Sequence, residues 1–488
     1  MRRIGFLMLM ATAAWGQAPP RMVRLNVVAE DAKGGPVTEL AANDLQITDA
    51  GKPETIALFR KNGTAGASVG TGPMAPGEFS NRGAGTPAQV TVVLFDVLNT
   101  TMKDQAYVRG RIIEALQPVK DGDSVYFYLL TLKGLVGVRA LPEPGERAAA
   151  DAGWTQQIQP KLDAAMKGVN RLGPHSDNME PQDRVNATYQ WLAALLGRLG
   201  SVAGRKNLVW VTRGIPIEIG ARHAGSGSPA EYEELLRRLS TAFDASGVAV
   251  YPVEAFGPRR DEGEEMMEQQ QTLEEIAAMT GGELDAQADV PAAMKAAMAA
   301  SQSSYVVGYY PAAGNWDGKL HKIKLKCAKD GVKLESKTEY VAYKDPEMGA
   351  EEEQEAFRAA IRSPFDASEI GLWALRGPGK TDPKKTRLQL RIDARDVTML
   401  AVGTAYHCDL SVAYVSYGEN GEPWPTRPVA MPIDFVAAER DQILKGGINV
   451  GGDIAFREGV DKVRIIVLDN FSGAVGSVTL TGIGKAGS

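Results

Sequence analysis

The stretch VTVVLFDVLNT, residues 90–100, decides which fold the sequence favours. Its first six residues are apolar except for Thr91, which is typical of a buried strand, and the carboxylate of Asp96 follows them. In open α/β sheets the ligand sites lie just beyond the carboxyl ends of the strands. Asp96 is therefore predicted to lie at such an edge, with the Thr100 hydroxyl on the same loop, where both could offer oxygen ligands to a divalent cation.

Segments with the pattern of strands alternate with amphipathic helical patterns from residue 89 to about 310. Further strands are predicted at 207–211, 248–253 and 305–309, and helices at 104–116 and 185–199. This alternation predicts a mostly parallel sheet with helices on both faces. We therefore expect an α/β fold class with a Rossmann-like open sheet, flanked by small β modules.

The chain of 488 residues is too long for a single core, so several domains are expected. Shifts in composition and periodicity divide it into seven parts. These are a signal peptide (1–18), an N-terminal β module (21–60), a Gly/Pro/Ser-rich flexible linker (61–88), the α/β domain (89–310), a β hairpin extension (311–343), an acidic linker with a short helix (344–363) and a C-terminal all-β domain that resembles a β-sandwich (364–488).

The first residues have the features of a secretory signal. Met1-Arg2-Arg3 is basic, residues 4–14 are apolar, and Ala14 and Gly16 give a small-x-small cleavage site. We expect a secreted or periplasmic protein, the alternative being an uncleaved anchor. No later apolar run reaches the roughly 18 residues of a membrane span, so no transmembrane segment is expected after signal removal.

Composition and spacing also exclude several functions. The formal net charge of −6 argues against nucleic-acid binding, which requires a basic face. The four histidines have no metal-ligand spacing and no nucleophile elbow accompanies them, so no enzyme activity is expected. Cys327 and Cys408 are the two cysteines; the sequence does not decide whether they pair, and buried small side chains are the simpler interpretation.

Seven short motifs follow one another along the chain: VTEL (37–40), DLQI (44–47), DAGKP (49–53), LFDVLNT (94–100), GRKNL (204–208), YVVGYYP (305–311) and DGKLHKI (317–323). Together with the late strand in KNLVWVTRG (206–214), this order resembles the von Willebrand factor type A family. The likeness is closer to a variant found in secreted proteins of Acidobacteria. It covers roughly residues 21–343 and does not extend to the C-terminal domain.

The resemblance implies a site that binds a hard cation through an Asp-x-Ser-x-Ser motif, a threonine on a second loop and an aspartate on a third. Asp96 and Thr100 match the first motif, whereas Leu98 replaces its first serine and has no ligand atom. Arg213 stands where the family often has the third-loop aspartate, and brings a fixed positive charge. The second loop falls within 170–183, without a clear threonine. The site is thus expected to be degenerate, with Mg²⁺ binding, helix capping and an Asp96–Arg213 ion pair as open alternatives.

The resulting functional expectation is an exported, non-enzymatic binding or adhesion-type protein that engages a protein partner. Its candidate binding face is formed by Asp96, Asn99, Thr100, Thr212 and Arg213. Two alternatives come from other classes: a metal-dependent hydrolase that uses Asp96, and a structural envelope component that self-associates. The sequence does not predict the oligomeric state.

Overall fold

A computed structural model describes most of the chain beyond residue 21. The described residues are 22–61, 75–82, 89–120, 123–142, 153–171, 181–200, 205–214, 239, 242–243, 246–255, 264–284, 289–300, 304–311, 319–342, 350–363, 365–379, 382, 385–418 and 420–483. The predicted signal peptide lies outside them. So do most of the predicted second loop and the residues that follow Gly214 up to position 238.

These residues form 23 strands and seven α-helices. The strands are β1 Val23–Glu30, β2 Leu45–Asp49, β3 Lys52–Glu54, β4 Ile56–Lys61, β5 Glu78–Ser80, β6 Gln89–Asp96, β7 Val125–Thr131, β8 Gly134–Arg139, β9 Arg205–Thr212, β10 Val248–Glu254, β11 Ser304–Tyr309, β12 Leu320–Cys327, β13 Lys333–Glu335, β14 Glu339–Val341, β15 Leu372–Pro378, β16 Thr386–Ile392, β17 Leu400–Val402, β18 Ala405–Tyr417, β19 Pro423–Pro425, β20 Val429–Val436, β21 Ile448–Ile454, β22 Lys462–Asp469 and β23 Val475–Thr481. The helices are α1 Met102–Leu116, α2 Ile158–Arg171, α3 Pro181–Leu199, α4 Glu264–Thr280, α5 Val290–Ala300, α6 Ala350–Arg362 and α7 Arg440–Gly446.

The fold class predicted from the sequence is wrong for this chain. In its described part, 42% of the structure is strand and 30% is helix, and the strands form several small sheets, of which only one is mixed. The prediction extended the strand–helix alternation of one region to the whole molecule. Most of the strands instead pair antiparallel, and several, such as β1 with β11 and β2 with β12, pair with segments distant in the chain. A periodicity pattern shows which face of a strand is buried but not which strand lies beside it.

The mixed sheet has the order β10-β9-β6-β7-β8, and only its edge strand β8 runs antiparallel to its neighbour. β6 lies at the centre, which explains why its residues are apolar on both sides. Val93 and Phe95 pack with α1, α2 and α5, while Val92 and Leu94 pack with α3 and α4. This arrangement places Asp96 at the carboxyl end of the central strand.

The N-terminal module combines strands from two separate stretches of the chain, residues 23–61 and 304–341. Its two antiparallel sheets, β13-β1-β11-β4 and β14-β12-β2-β3, share a core that includes Leu25, Ile47 and Tyr305. The segments predicted as a separate N-terminal module and a hairpin extension thus combine in one core. The mixed sheet is inserted between them in the sequence.

Two antiparallel sheets form the C-terminal module. One has the order β21-β16-β15-β5; in the other, β18 lies between β22 on one side and β19 and β20 on the other. They pack through a core that includes Leu372, Leu390 and Val467. β5 comes from the interval predicted as a flexible linker and pairs with β15. α6 covers the second sheet through Phe357 and contains the acidic run predicted as linker, since acidic residues are favourable in the first turns of a helix.

Glu369 joins the three modules. Its carboxylate lies 2.7 Å from the Arg24 guanidinium and 3.9 Å from that of Arg60, both in the N-terminal module. It also accepts a hydrogen bond from the Val475 backbone N–H. Burial opposes the ionisation of Glu369, but Arg24, Arg60 and Lys206 of the mixed sheet outweigh it and lower its pKa. The modules are therefore held by charge as well as by apolar contact.

Candidate functional site

The site begins where β6 ends. Asp96 has no exposed surface, and its carboxylate accepts three hydrogen bonds. Asn99 donates its backbone N–H to Oδ1 at 3.0 Å and its side-chain amide to Oδ2 at 2.8 Å. Thr212, at the end of the neighbouring strand β9, donates its hydroxyl to Oδ2 at 2.9 Å. The sheet thus brings Asp96, Asn99 and Thr212 of the predicted binding face together.

Burial determines the acidity of Asp96. Removal of the carboxylate from water raises its pKa from the ordinary value of 3.8 to about 6, and the hydrogen bonds from Asn99 and Thr212 only partly oppose this rise. An ionised Asp96 is therefore under-stabilised by its protein partners alone. A cation or an additional donor at this position would favour the charged form.

Thr188 is the functional residue that the sequence reasoning missed. It is fully buried on α3, and its hydroxyl accepts a hydrogen bond of 2.8 Å from the Asn99 side-chain amide. The signal was present in the sequence: threonine interrupts the helical repeat of apolar residues that faces the sheet. The buried positions of this repeat are Val185, Thr188, Leu192, Leu195, Leu196 and Leu199.

Two oxygens of the site lack partners. The side-chain carbonyl of Asn99 and the hydroxyl of Thr100 are both buried, and neither has a hydrogen-bond partner among the described residues. Buried polar atoms are nearly always paired, so an unpaired pair on one loop marks a place for a water molecule, an ion or a ligand group. Thr100 does not cap α1, because Thr101 occupies the N-cap position.

The donor set suits a hard cation. Asp96, Asn99, Thr100, Thr188 and Thr212 offer only oxygen ligands, with a single carboxylate, and Mg²⁺ prefers oxygen ligands while taking few carboxylates. In the described part of the chain no group of three or more His, Cys, Asp or Glu side chains could hold a metal. Any metal here would therefore depend on hydroxyl and amide oxygens. Leu98 has no such atom and packs in the core beside the sheet.

Arg213 faces a different carboxylate from the one expected. The guanidinium lies 3.8 Å from Asp104 on α1, and its side chain is 29% exposed. The partners that the structure gives Asp96 are the neutral donors already described. Arg213 directly follows Thr212 and therefore places a partly exposed positive charge at the rim of the site.

The rim also exposes apolar side chains. Met102 begins α1 and is 44% exposed, and Leu132, 36% exposed, directly follows β7. β7 runs parallel to β6, with Leu130 in register with Asp96, so both residues lie at the same end of the sheet. Lys133 is exposed beside Leu132. The surface around the buried oxygens is thus apolar and positively charged.

Two of the histidines lie beside a carboxylate, and the two cysteines are not paired with each other. His321 contacts Asp49 at 3.0 Å and His407 contacts Asp434 at 2.6 Å. Cys327 and Cys408 are free thiols, and Cys408 is buried. No helix in the described part of the chain combines the length and apolar character needed to cross a bilayer.

No protein-family model matches the sequence, and no curated protein is similar to it.

Proposed function

We propose that this chain is an exported, non-enzymatic binding protein, and that it engages a protein partner with the carboxyl end of the mixed sheet. The observation that supports this most is the rim itself, where the partly exposed Met102, Leu132 and Arg213 lie at the same end of the mixed sheet as the buried polar oxygens. Large apolar side chains beside a cation are typical of interface centres. The sequence resemblance to von Willebrand factor type A domains points to the same face.

The chemistry of the rim specifies the partner. Lys133 is exposed and attracts a carboxylate, and Arg213 adds positive charge that Asp104, 3.8 Å away, partly offsets. Met102 and Leu132 offer apolar contact. We therefore expect the bound segment to carry an acidic side chain next to an apolar one. Asp96 would act from beneath the surface, by fixing the loop that carries Asn99 and Thr100.

The test is a quantitative pull-down from cell-envelope extract with purified variants. Arg213→Ala and Leu132→Ser are expected to lose the partner that wild type retains. Tyr107→Ser is the matched control, because Tyr107 is a 42% exposed residue on α1, one and a half turns from Met102. If the rim variants and the control retain the same partner equally, this face does not bind it.

A second candidate is a metal-dependent hydrolase that uses Asp96, and the two unpaired oxygens of Asn99 and Thr100 favour it. A bound Mg²⁺ would be held by the oxygens named above and would supply Lewis-acid chemistry there. Titration calorimetry with Mg²⁺, Mn²⁺ and Ca²⁺, paired with thermal unfolding, distinguishes the two. Heat and a raised midpoint in wild type, both absent in Asp96→Asn, would support the metal; no response in wild type would remove this candidate.

A third hypothesis is a structural envelope component that self-associates. The oligomeric state of the purified protein tests it. A strict monomer in light scattering at high protein concentration would argue against self-association.

A further inference from the structure

A cavity of about 570 Å³ lies in the C-terminal module, far in sequence from the site described above. This volume is within the range of small-molecule binding sites, roughly 300–1,000 Å³. It opens on the outer face of the sheet β21-β16-β15-β5, beside α7. The lining residues that matter chemically are Ser80, Trp373, Arg391, Arg395, Asp441 and Lys445.

The strand register builds the floor of this cavity. Trp373 on β15 is paired with Ser80 on one side and with Arg391 on the other, so the three side chains form a row across the sheet. Their strand neighbours Leu372 and Leu390 face the core. Since successive side chains of a strand point to opposite faces, Trp373 and Arg391 face outward. Both are half-buried.

Gly447 makes room for Arg391 at the cavity wall. Its φ of +71° suits glycine, and a Cβ there would lie 2.7 Å from the Ile392 carbonyl and 3.1 Å from Arg391 Cγ. The absence of a side chain lets the arginine lie along the end of α7. The cavity is therefore shaped by backbone as well as by side chains.

Two of its cations are already paired. Arg82 lies 2.7 Å from Asp396 and 3.5 Å from Asp393, and Arg395 donates to both oxygens of Asp393 at 2.8 and 2.6 Å. These contacts fix one wall. They leave little charge for a ligand.

The other two cations have no such partners. Within the described residues, neither Arg391 nor Lys445 forms an ion pair or a side-chain hydrogen bond, and the Trp373 indole N–H has no acceptor. Apart from the paired charges, the lining holds the two cations Arg391 and Lys445 and the single carboxylate of Asp441, whereas the protein as a whole carries a net charge of −6. The site is thus a positive, aromatic-floored cavity on an acidic protein.

We propose that this cavity binds an acidic sugar of the uronate type. The carboxylate would lie between Arg391 and Lys445, because Arg and Lys are the side chains that hold such groups. The apolar C–H face of the sugar ring would lie on the Trp373 indole, a large surface with an apolar face. Asp441 is exposed and has no partner among the described residues, so it can accept a hydrogen bond from a sugar hydroxyl. This acceptor favours a hydroxylated ring over an aromatic carboxylate.

The experiment is a calorimetric titration of the full chain with galacturonate, galactose and benzoate. We expect wild type to bind galacturonate with a dissociation constant of about 1 mM, the range of a small polar ligand. Galactose lacks the carboxylate and benzoate lacks the hydroxyls, so each is expected to bind at least about tenfold more weakly. Equal binding of galactose would overturn the role of the cations, and tighter binding of benzoate would overturn the sugar. No binding of galacturonate would overturn the proposal as a whole.

Substitutions in the cavity lining test whether galacturonate binds there. Arg391→Gln and Lys445→Gln are each expected to weaken galacturonate binding at least about tenfold. Arg387→Gln is the matched control: Arg387 lies on the same strand and face, but pairs with Asp453 at 2.9 Å outside the cavity. Wild-type affinity in Arg391→Gln and Lys445→Gln would overturn the assignment. Lys445 is exposed, so its variant keeps the test valid if Arg391→Gln does not fold.

Discussion

Asp96 in the mixed sheet and Asp49 in the N-terminal module are both completely buried, but their surroundings differ. Asp49 accepts hydrogen bonds from the hydroxyls of Tyr340 at 2.7 Å and Tyr309 at 3.2 Å, and contacts His321 at 3.0 Å. Burial raises the pKa of both tyrosines, which keeps them as donors. At Asp96 the donors are the small side chains of Asn99 and Thr212 and one backbone N–H, and two nearby oxygens remain unpaired. Burial of a carboxylate alone therefore does not distinguish the two positions, and Asp96 differs in the unpaired oxygens of Asn99 and Thr100 on its own loop.

The largest effect is expected at Asp49. Asp49→Ala removes the common acceptor of three buried polar side chains, each of which then carries a desolvation cost of about 1–3 kcal/mol. We expect a loss of roughly 3–5 kcal/mol in the free energy of unfolding, measured by urea denaturation. A loss below about 1 kcal/mol would mean that Asp49 does not organise its module.

The free energy of unfolding of wild type is expected to depend on pH through Asp96, a dependence that an Asp96 variant lacks. Its folded-state pKa of about 6 is above the ordinary 3.8, so its contribution to stability is complete below pH 3.8 and is lost as the pH rises towards 6. The difference corresponds to about 3 kcal/mol. Asp96→Asn lacks this ionisation, so its stability is expected to fall less than that of wild type as the pH rises from about 4 to about 7.

Urea unfolding of both proteins at about pH 4.5 and pH 7.5 measures this difference directly. If wild type and Asp96→Asn lose the same stability between the two pH values, Asp96 does not titrate in this range. Asp104→Asn is a useful control, because Asp104 lies on the rim beside Arg213.

A pair of threonine variants tests the unpaired oxygens. Thr100→Val removes a buried hydroxyl without a partner, so we expect stability to rise by about 1 kcal/mol. Thr188→Val removes an acceptor that Asn99 uses, so stability is expected to fall by about 1 kcal/mol. A loss in Thr100→Val as large as that in Thr188→Val would show that the Thr100 hydroxyl is bound in solution.

The smallest effect on stability is expected at Arg213. Its ion pair with Asp104 is long and partly exposed, and such pairs contribute about 0–1 kcal/mol. Arg213→Gln should therefore unfold within about 0.5 kcal/mol of wild type while losing the bound partner. A large loss of stability would place Arg213 in the structure of the site rather than on its binding surface.

Local elements could be predicted from the sequence, whereas their pairing could not. The strand predicted to end at Asp96 does so, and the helix predicted at 104–116 is α1. Both follow from periodicity within a few neighbouring residues. The pairing of β1 with β11 depends on a segment far along the chain. The prediction of an α/β fold class failed for this reason.

Only the part of the candidate site that lies at the ends of strands could be predicted from the sequence. Asp96, Asn99 and Thr212 lie where strand ends meet, and sheet geometry alone brings them together. Thr188 reaches the site only because α3 packs on that face of the sheet, a tertiary arrangement. The partner of Arg213 depends on where α1 lies relative to the end of β9, which no motif encodes.

The distance along the chain between Asp49 and Tyr340 has a consequence for biosynthesis. The two residues are separated by 291 positions. At about 5–20 residues per second, a ribosome that has made Asp49 needs roughly 15–60 s to reach Tyr340. For most of this time β1, β2 and β4 have no β11 or β12 to pair with, and their open edges can join other chains. These strands therefore need protection for a period set by the length of the inserted mixed sheet.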